Sequence, residues 1–132
     1  MKKAGLIPYV FEDNEPVFMF MVPSDPAFGG TRPAIAKGNI DPGEDVLQAA
    51  IREAEEELGL VKSNMLMDTL QEIWTGNKGY SLTVYMCEVK GKEQFVEPHY
   101  ETGETHWLTA DEFSKIGKLW QIPIVKRARS LL

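Results

Sequence analysis

Thiol and imidazole are scarce: the 132 residues hold one cysteine and two histidines. With Cys87 alone no internal disulfide can form, and such usage fits a reducing compartment. Cys87 lies in the run Val84-Tyr-Met-Cys-Glu-Val and reads as a small core residue rather than a nucleophile. His99 and His106 stand in a polar stretch, where a lone histidine is more often neither ligand nor catalyst. No apolar run approaches membrane-spanning length. Nor is Met1-Lys-Lys-Ala-Gly followed by one long enough for a signal peptide, so the expected location is cytoplasmic, with no membrane partner. Positive charge is short: 14 Lys and Arg stand against 20 Asp and Glu, a net charge of −6. That balance argues against nucleic-acid backbone binding as the main business. Repeats, low-complexity tracts and linkers are missing.

What remains is the composition of an ordinary globular protein, 43% hydrophobic and 26% charged. The length suits a single domain spanning residues 1–132. Residues 4–11 and 17–22 read as strands joined by a hairpin-like connection, and 23–32 as a loop rich in breakers. A short strand is expected at 33–36. A second pair of strands is expected at 68–75 and 80–89, a polar loop at 90–103 and a short strand at 105–108. Thr109-Ala-Asp-Glu112 has capping-box spacing for a short helix, and residues 119–131 suggest a terminal helix. This order predicts an α+β fold, a sandwich with a mixed sheet between helices.

The densest signal lies between Gly38 and Leu60. Leu47, Ile51, Ala54 and Leu58 recur at helical spacing, with Ala50 beside them and Gly59 where a C-terminal cap belongs. Asp41-Pro42-Gly43-Glu44 reads as a turn, so the helix is expected to run from about Glu44 to Leu58. On it Glu53, Glu56 and Glu57 fall at i, i+3 and i+4, so their carboxylates share a face. Like charges so placed repel by a few tenths of a kcal/mol per exposed pair. A divalent cation turns that repulsion into binding, since carboxylates suit hard ions such as Mg²⁺ and Mn²⁺.

This segment resembles the Nudix (MutT-like) box, G-x5-E-x7-R-E-U-x-E-E-x-G-U, with U a bulky aliphatic. Gly38, Glu44, Arg52, Glu53, Glu56, Glu57, Gly59 and Leu60 fit, and Ala54 departs by being small. The resemblance implies an α/β/α sandwich and Mg²⁺- or Mn²⁺-dependent hydrolysis of a phosphoanhydride in a nucleoside diphosphate linked to another group. Glu56 and Glu57 match metal-ligand positions, and Glu53 one that serves as ligand or general base. Lys37, just before the first box glycine, is implied to offer its main-chain carbonyl to the metal, and its side chain is a candidate for a phosphate. Arg52 would orient the acids by charge-assisted hydrogen bonds, with Glu44 mainly structural.

Outside the box, Glu101-Thr-Gly-Glu104-Thr-His-Trp107 resembles an acidic loop in many Nudix hydrolases. There a glutamate six residues before a tryptophan binds metal or acts as base, which points to Glu101, with Glu104 second. Phe28, Trp74, Tyr80 and Tyr85 are candidates for stacking on a base, Phe28 first because glycines flank its loop. Clustered acids raise one another's pKa until metal arrives, so activity is expected to rise toward alkaline pH.

Ala36-Lys-Gly-Asn-Ile-Asp-Pro-Gly-Glu44 resembles the Pro-Lys-Gly-His-Val-Asp-Pro-Gly-Glu of the dinucleoside polyphosphate subgroup. The ADP-ribose subgroup tends to carry a proline about fifteen residues past the box, where this chain reads Trp74-Thr75-Gly76. The favoured substrate is therefore a dinucleoside polyphosphate. Nucleoside triphosphates and nucleotide sugars or ADP-ribose stand behind it, and a non-catalytic nucleotide-binding domain is the reading of a different class. Monomer and homodimer both remain open.

Overall fold

A computed structural model describes residues 1–132. Strands β1 (Lys2–Glu12) and β2 (Glu15–Pro23) form an antiparallel hairpin. Its two-residue turn is Asp13-Asn14, with φ of 52° and 66°. Asp and Asn tolerate that left-handed conformation, and the resulting twist matches that of the flanking strands. β3 (Ala36–Asn39) follows, then helix α1 (Val46–Leu58), then a second hairpin of β4 (Gln71–Asn77) and β5 (Ser81–Glu88). β6 (Thr102–Leu108), α2 (Ala110–Ile116) and α3 (Ile122–Ser130) complete the chain.

The sheet has the order β4-β5-β1-β2-β6 and is mixed, since β1 and β5 run parallel while the other pairs are antiparallel. β1 divides one edge between two partners: Lys3–Leu6 pair with β3, and Tyr9–Glu12 pair with β2. This fork opens the sheet beside α1. Alternation along the strands sends Ala4, Leu6, Met19 and Met21 to the α1 side. Ile7, Tyr9, Phe18 and Phe20 point to the opposite face, against Phe113 of α2 and Ile124, Val125 and Ala128 of α3. The architecture is thus an α+β sandwich with one helix on one face and two on the other.

The boundaries differ from the sequence expectation in instructive places. α1 starts at Val46 because Asp45 is its N-cap: the Asp45 side chain accepts from Gln48 N, and the Gln48 side chain accepts from Asp45 N. Glu44 stays in the preceding turn, where Gly43 has a φ of 80°. The strand before the box is Ala36–Asn39 rather than 33–36, because it pairs with the start of β1. β4 begins late, since Met67–Thr69 forms a 3-10 turn first, and the terminal helix likewise follows a 3-10 turn at Leu119–Gln121. β6 begins at Thr102 rather than 105. Its polar sequence masks a strand that pairing with β2 supports down to Pro23.

The buried face of α1 is also rotated from the apolar stripe. Ala49, Ala50, Ile51, Ala54 and Leu58 are buried, Leu47 only partly, and Glu53 is buried with them. Ala54, small for its box position, is fully buried beside Ala4, Ala36, Ala49 and Ala50. These small side chains let the helix lie close on the forked strands, which brings Glu53 against β3.

Candidate functional site

The last two turns of α1 carry the acids, and β3 runs past them. Gly38 of β3 makes room for one: a Cβ at Gly38 would occupy the place of the Glu53 carboxylate. Arg52 organises the rest. Its Nε and Nη2 donate to the two Glu44 carboxylate oxygens at 2.8 and 3.0 Å, and Nη2 also reaches the Asn39 carbonyl at 2.9 Å. Nη1 donates to Glu53 at 3.0 Å and Glu56 at 3.3 Å. The bidentate pair with Glu44 holds the guanidinium firmly charged and draws the Glu44 carboxyl below the usual range. Glu44 therefore anchors the arginine, and the arginine spaces the acids.

Glu57 meets no guanidinium, and the Lys37 charge that favours its ionised form is outweighed. Its Oε1 accepts from Lys37 N at 3.1 Å, yet burial first, then the Glu53 charge, pushes its pKa up to about 8, and Glu101 adds to the rise. Glu53 is raised as well, by burial, against the pull of Arg52. Glu56 lies exposed on the outer side of the helix. The i, i+3, i+4 triplet is thus not one equivalent surface: Glu53 and Glu57 turn inward toward β3, while Glu56 faces out beside Arg52.

Two loops bring further groups to this place. The His99 N–H donates to the Glu56 carbonyl at 2.7 Å, and the Thr102 hydroxyl donates to the Glu57 carbonyl at 2.8 Å. These bonds pin the segment carrying Glu101 to the end of α1. A cleft of about 520 Å³ opens there, with Asp25, Glu57 and Glu101 as its acidic lining and Lys3, Lys37 and Lys118 as its basic lining. Burial lowers the Lys37 pKa, although Glu57 and Glu53 oppose this. Burial and the neighbouring Lys37 and Lys3 charges lower that of Lys118. Ammonium groups and carboxylates lining one cleft form a site for an anion and a cation together.

The aromatic candidates separate. Phe28 lines the cleft. Tyr80 does not; its ring backs the lysines, with Lys3 Nζ 4.5 Å and Lys37 Nζ 5.6 Å from its centroid, and it meets Trp120 edge-on. Trp74 and Trp120 flank a small cavity of about 110 Å³ with Lys78, and Tyr85 lies at a separate groove on the outer face of α1. Glu101 lies in the cleft, and Glu104 does not line it. Each histidine lies beside a neighbouring acid, His99 by Glu101 at 3.4 Å in the loop before β6 and His106 by Glu104 at 3.2 Å within β6.

The NUDIX domain model matches residues 2–128. The chain belongs to the Nudix family. A Caenorhabditis elegans asymmetrical bis(5'-nucleosyl)-tetraphosphatase is 30% identical over 119 residues, 88% of this chain and 84% of that protein. The rat protein of the same name is 30% identical over 118 residues, covering 86% and 77%. Among solved structures, a C. elegans Ap4A hydrolase binary complex superposes with a TM-score of 0.78 at 24% identity, covering 98% and 96% of the two chains. The Nudix hydrolase RenU from M. Smegmatis gives 0.78 at 20% identity, covering 98% and 84%; both likenesses speak to fold.

The protein is thus a Nudix hydrolase, an enzyme acting on acid anhydrides. The family works with a divalent metal. No helix is long and apolar enough to cross a membrane. The chain's donors suit a hard cation: the set is all oxygen, and the half-buried Glu57 keeps a raised pKa in spite of the Lys37 charge. They do not form a closed cage, as no three acid, histidine or cysteine groups converge at ligating distance. Arg52 engages Glu53 and Glu56, and Lys37 N engages Glu57. Sequence reasoning missed Lys3, Lys118 and Tyr100 of this Nudix cleft. They lie far apart in the chain and carry no motif, so only the fold unites them.

Proposed function

We propose that this Nudix hydrolase cleaves a phosphoanhydride bond of a dinucleoside polyphosphate with Mg²⁺ or Mn²⁺. The observation that carries the reading is the joining of Glu57 and Glu101 to Lys3, Lys37 and Lys118 in one cleft. Such a cleft suits a long polyanion whose phosphates need cations along their length. The 30% identity to proteins named for this reaction supports the same substrate class.

Glu53, Glu56, Glu57, Glu101 and the Lys37 main chain are the groups that would hold the metal. When bound, it supplies polarisation of phosphoryl oxygens and a more acidic water. The protein's own residues do the rest. The lysines hold the phosphates by charge-assisted hydrogen bonds. Arg52 keeps Glu53 and Glu56 apart and oriented. Glu53 or Glu101 takes the proton as water oxygen bonds to phosphorus, and the bridging P–O bond breaks to release the leaving phosphate. Phe28 contributes a ring for the nucleoside, and Tyr80 acts on substrate through the lysines it supports.

The test is product release with Mg²⁺ from diadenosine tetraphosphate, ADP-ribose, a nucleotide sugar, NADH and the nucleoside triphosphates, with Glu56→Gln alongside. Rapid turnover of diadenosine tetraphosphate by wild type, cut about a hundredfold or more in the variant, supports the reading. Preference for another member of the panel overturns the substrate class.

A further inference from the structure

We propose that Gln121 is a positioning residue: it clamps the chain entering β3 to the segment before α3 and so fixes the spacing of Lys37 and Lys118 across the cleft. The inference rests on the polyphosphate-hydrolase reading. Gln121 is fully buried and does not line the cleft, so it acts through those lysines and not by touching substrate.

The need for a clamp comes from the fork at β1. Ala34 exchanges backbone hydrogen bonds with Met21 of β2, while Ala36 already pairs with Leu6 of β1. Ile35 stands at the changeover between these partners, and its N–H donates to a side chain instead. The acceptor is Gln121 Oε1, at 2.7 Å. Gln121 Nε2, by contrast, is buried with no hydrogen-bond partner. An apolar side chain would fill the same space but would orphan the Ile35 N–H, so the oxygen is what the position requires.

Further bonds seat the same segments on each other. Lys118 N donates to the Pro33 carbonyl at 2.9 Å, Lys118 Nζ to the Gly29 carbonyl at 3.1 Å and Arg32 Nη1 to the Gly117 carbonyl at 3.4 Å. Among the side-chain bonds of this set, the one from Ile35 is the shortest and the most shielded from water, which makes it the costliest to lose. It also lies close to both lysines. Lys37 follows Ile35 by two residues along the extended chain, so their side chains leave on the same face, and both line the cleft. On the other side, Gln121 N closes its 3-10 turn on the Lys118 carbonyl at 3.0 Å, and Trp120 within that turn has its ring centroid 5.8 Å from Lys37 Nζ. A slip of either segment changes the distance between the ammonium groups. A row of phosphates has a spacing of its own, and lysines that meet it must be held to match.

The experiment is calorimetric binding of inorganic tripolyphosphate, with Mg²⁺, to wild type, Gln121→Met, Lys118→Ala, the double variant and Ile124→Val. Methionine keeps the side-chain length and removes the acceptor. Ile124→Val trims the buried face of α3 away from the clamp and controls for lost stability. Gln121→Met is expected to weaken binding about tenfold, and to weaken it little further once Lys118 is alanine, because spacing ceases to matter when one lysine is gone. Ile124→Val should bind like wild type. Full additivity with Lys118→Ala, unchanged affinity in Gln121→Met, or an equal loss in Ile124→Val overturns the role. Hydrogen exchange on wild type decides the matter even if Gln121→Met folds poorly. A ligand that bridges the lysines should slow exchange of the Ile35 amide several-fold more than that of Phe18 in the sheet core, and an equal response of both amides refutes the clamp. Turnover of diadenosine tetraphosphate by wild type is read separately. Its absence would sink the proposed reaction, while binding and exchange still decide the role of Gln121.

Discussion

Glu57 and Gly38 show how single residues here hold their function by geometry. Glu57 has an ordinary carboxyl pKa of 4.5 when unfolded and one pushed up to about 8 when folded. Between those values the native state binds the extra proton, so the metal-free protein loses stability as pH rises through that window and levels off above it. Melting curves from pH 5 to 9 with a chelator should show this decline. They should show a flatter profile for Glu57→Gln, whose amide does not titrate; parallel profiles would contradict the assignment. Gly38→Ala puts a methyl where the Glu53 carboxylate lies. The expected outcome is a loss of kcat of about a hundredfold, with little change in the circular dichroism spectrum. Near-wild-type activity would mean that Glu53 tolerates displacement.

At the scale of elements, α1 is the piece on which fold and chemistry depend together. Its start is the reciprocal Asp45–Gln48 cap, and its end is Gly59, with φ of 77°. A side chain at Gly59 would also run into the Val96 carbonyl. Asp45→Ala should cost about 1 kcal/mol, the usual loss of an N-cap. Gly59→Ala should cost more, because the left-handed strain is compounded by the clash. Urea denaturation of both variants checks the order, and a Gly59→Ala loss smaller than that of Asp45→Ala would refute it. The helix was readable in the chain because its period, cap glycine and apolar stripe agree. Its rotation was not, because the tight alanine packing that buries Glu53 and leaves Leu47 at the rim depends on β1 and β3. Likewise β6 hid its first residues in a polar run that only pairing with β2 makes a strand.

For the whole molecule, a net charge of −6 has to coexist with the polyanionic substrate proposed above. The cleft does this locally by gathering Lys3, Lys37 and Lys118, from β1, β3 and the segment before α3, around one opening. Lys118→Ala should raise KM for a dinucleoside polyphosphate about tenfold, as expected when one charge-assisted contact is lost, and leave kcat within about twofold. Steady-state kinetics reads the split. An effect confined to kcat would place Lys118 in the chemical step instead.

The sequence by itself determined the Nudix family, the helix that bears the acids, the α+β class and the identities of Arg52, Glu53, Glu56 and Glu57. Those follow from local spacing, which a linear pattern records in full. Tertiary structure alone decided which acids face inward, that Glu57 holds an elevated pKa, and that Lys3, Lys118 and Tyr100 join the cleft. Desolvation and proximity cause these properties, and both arise when the forked β1 edge, the two pinned loops and the segment before α3 meet in space.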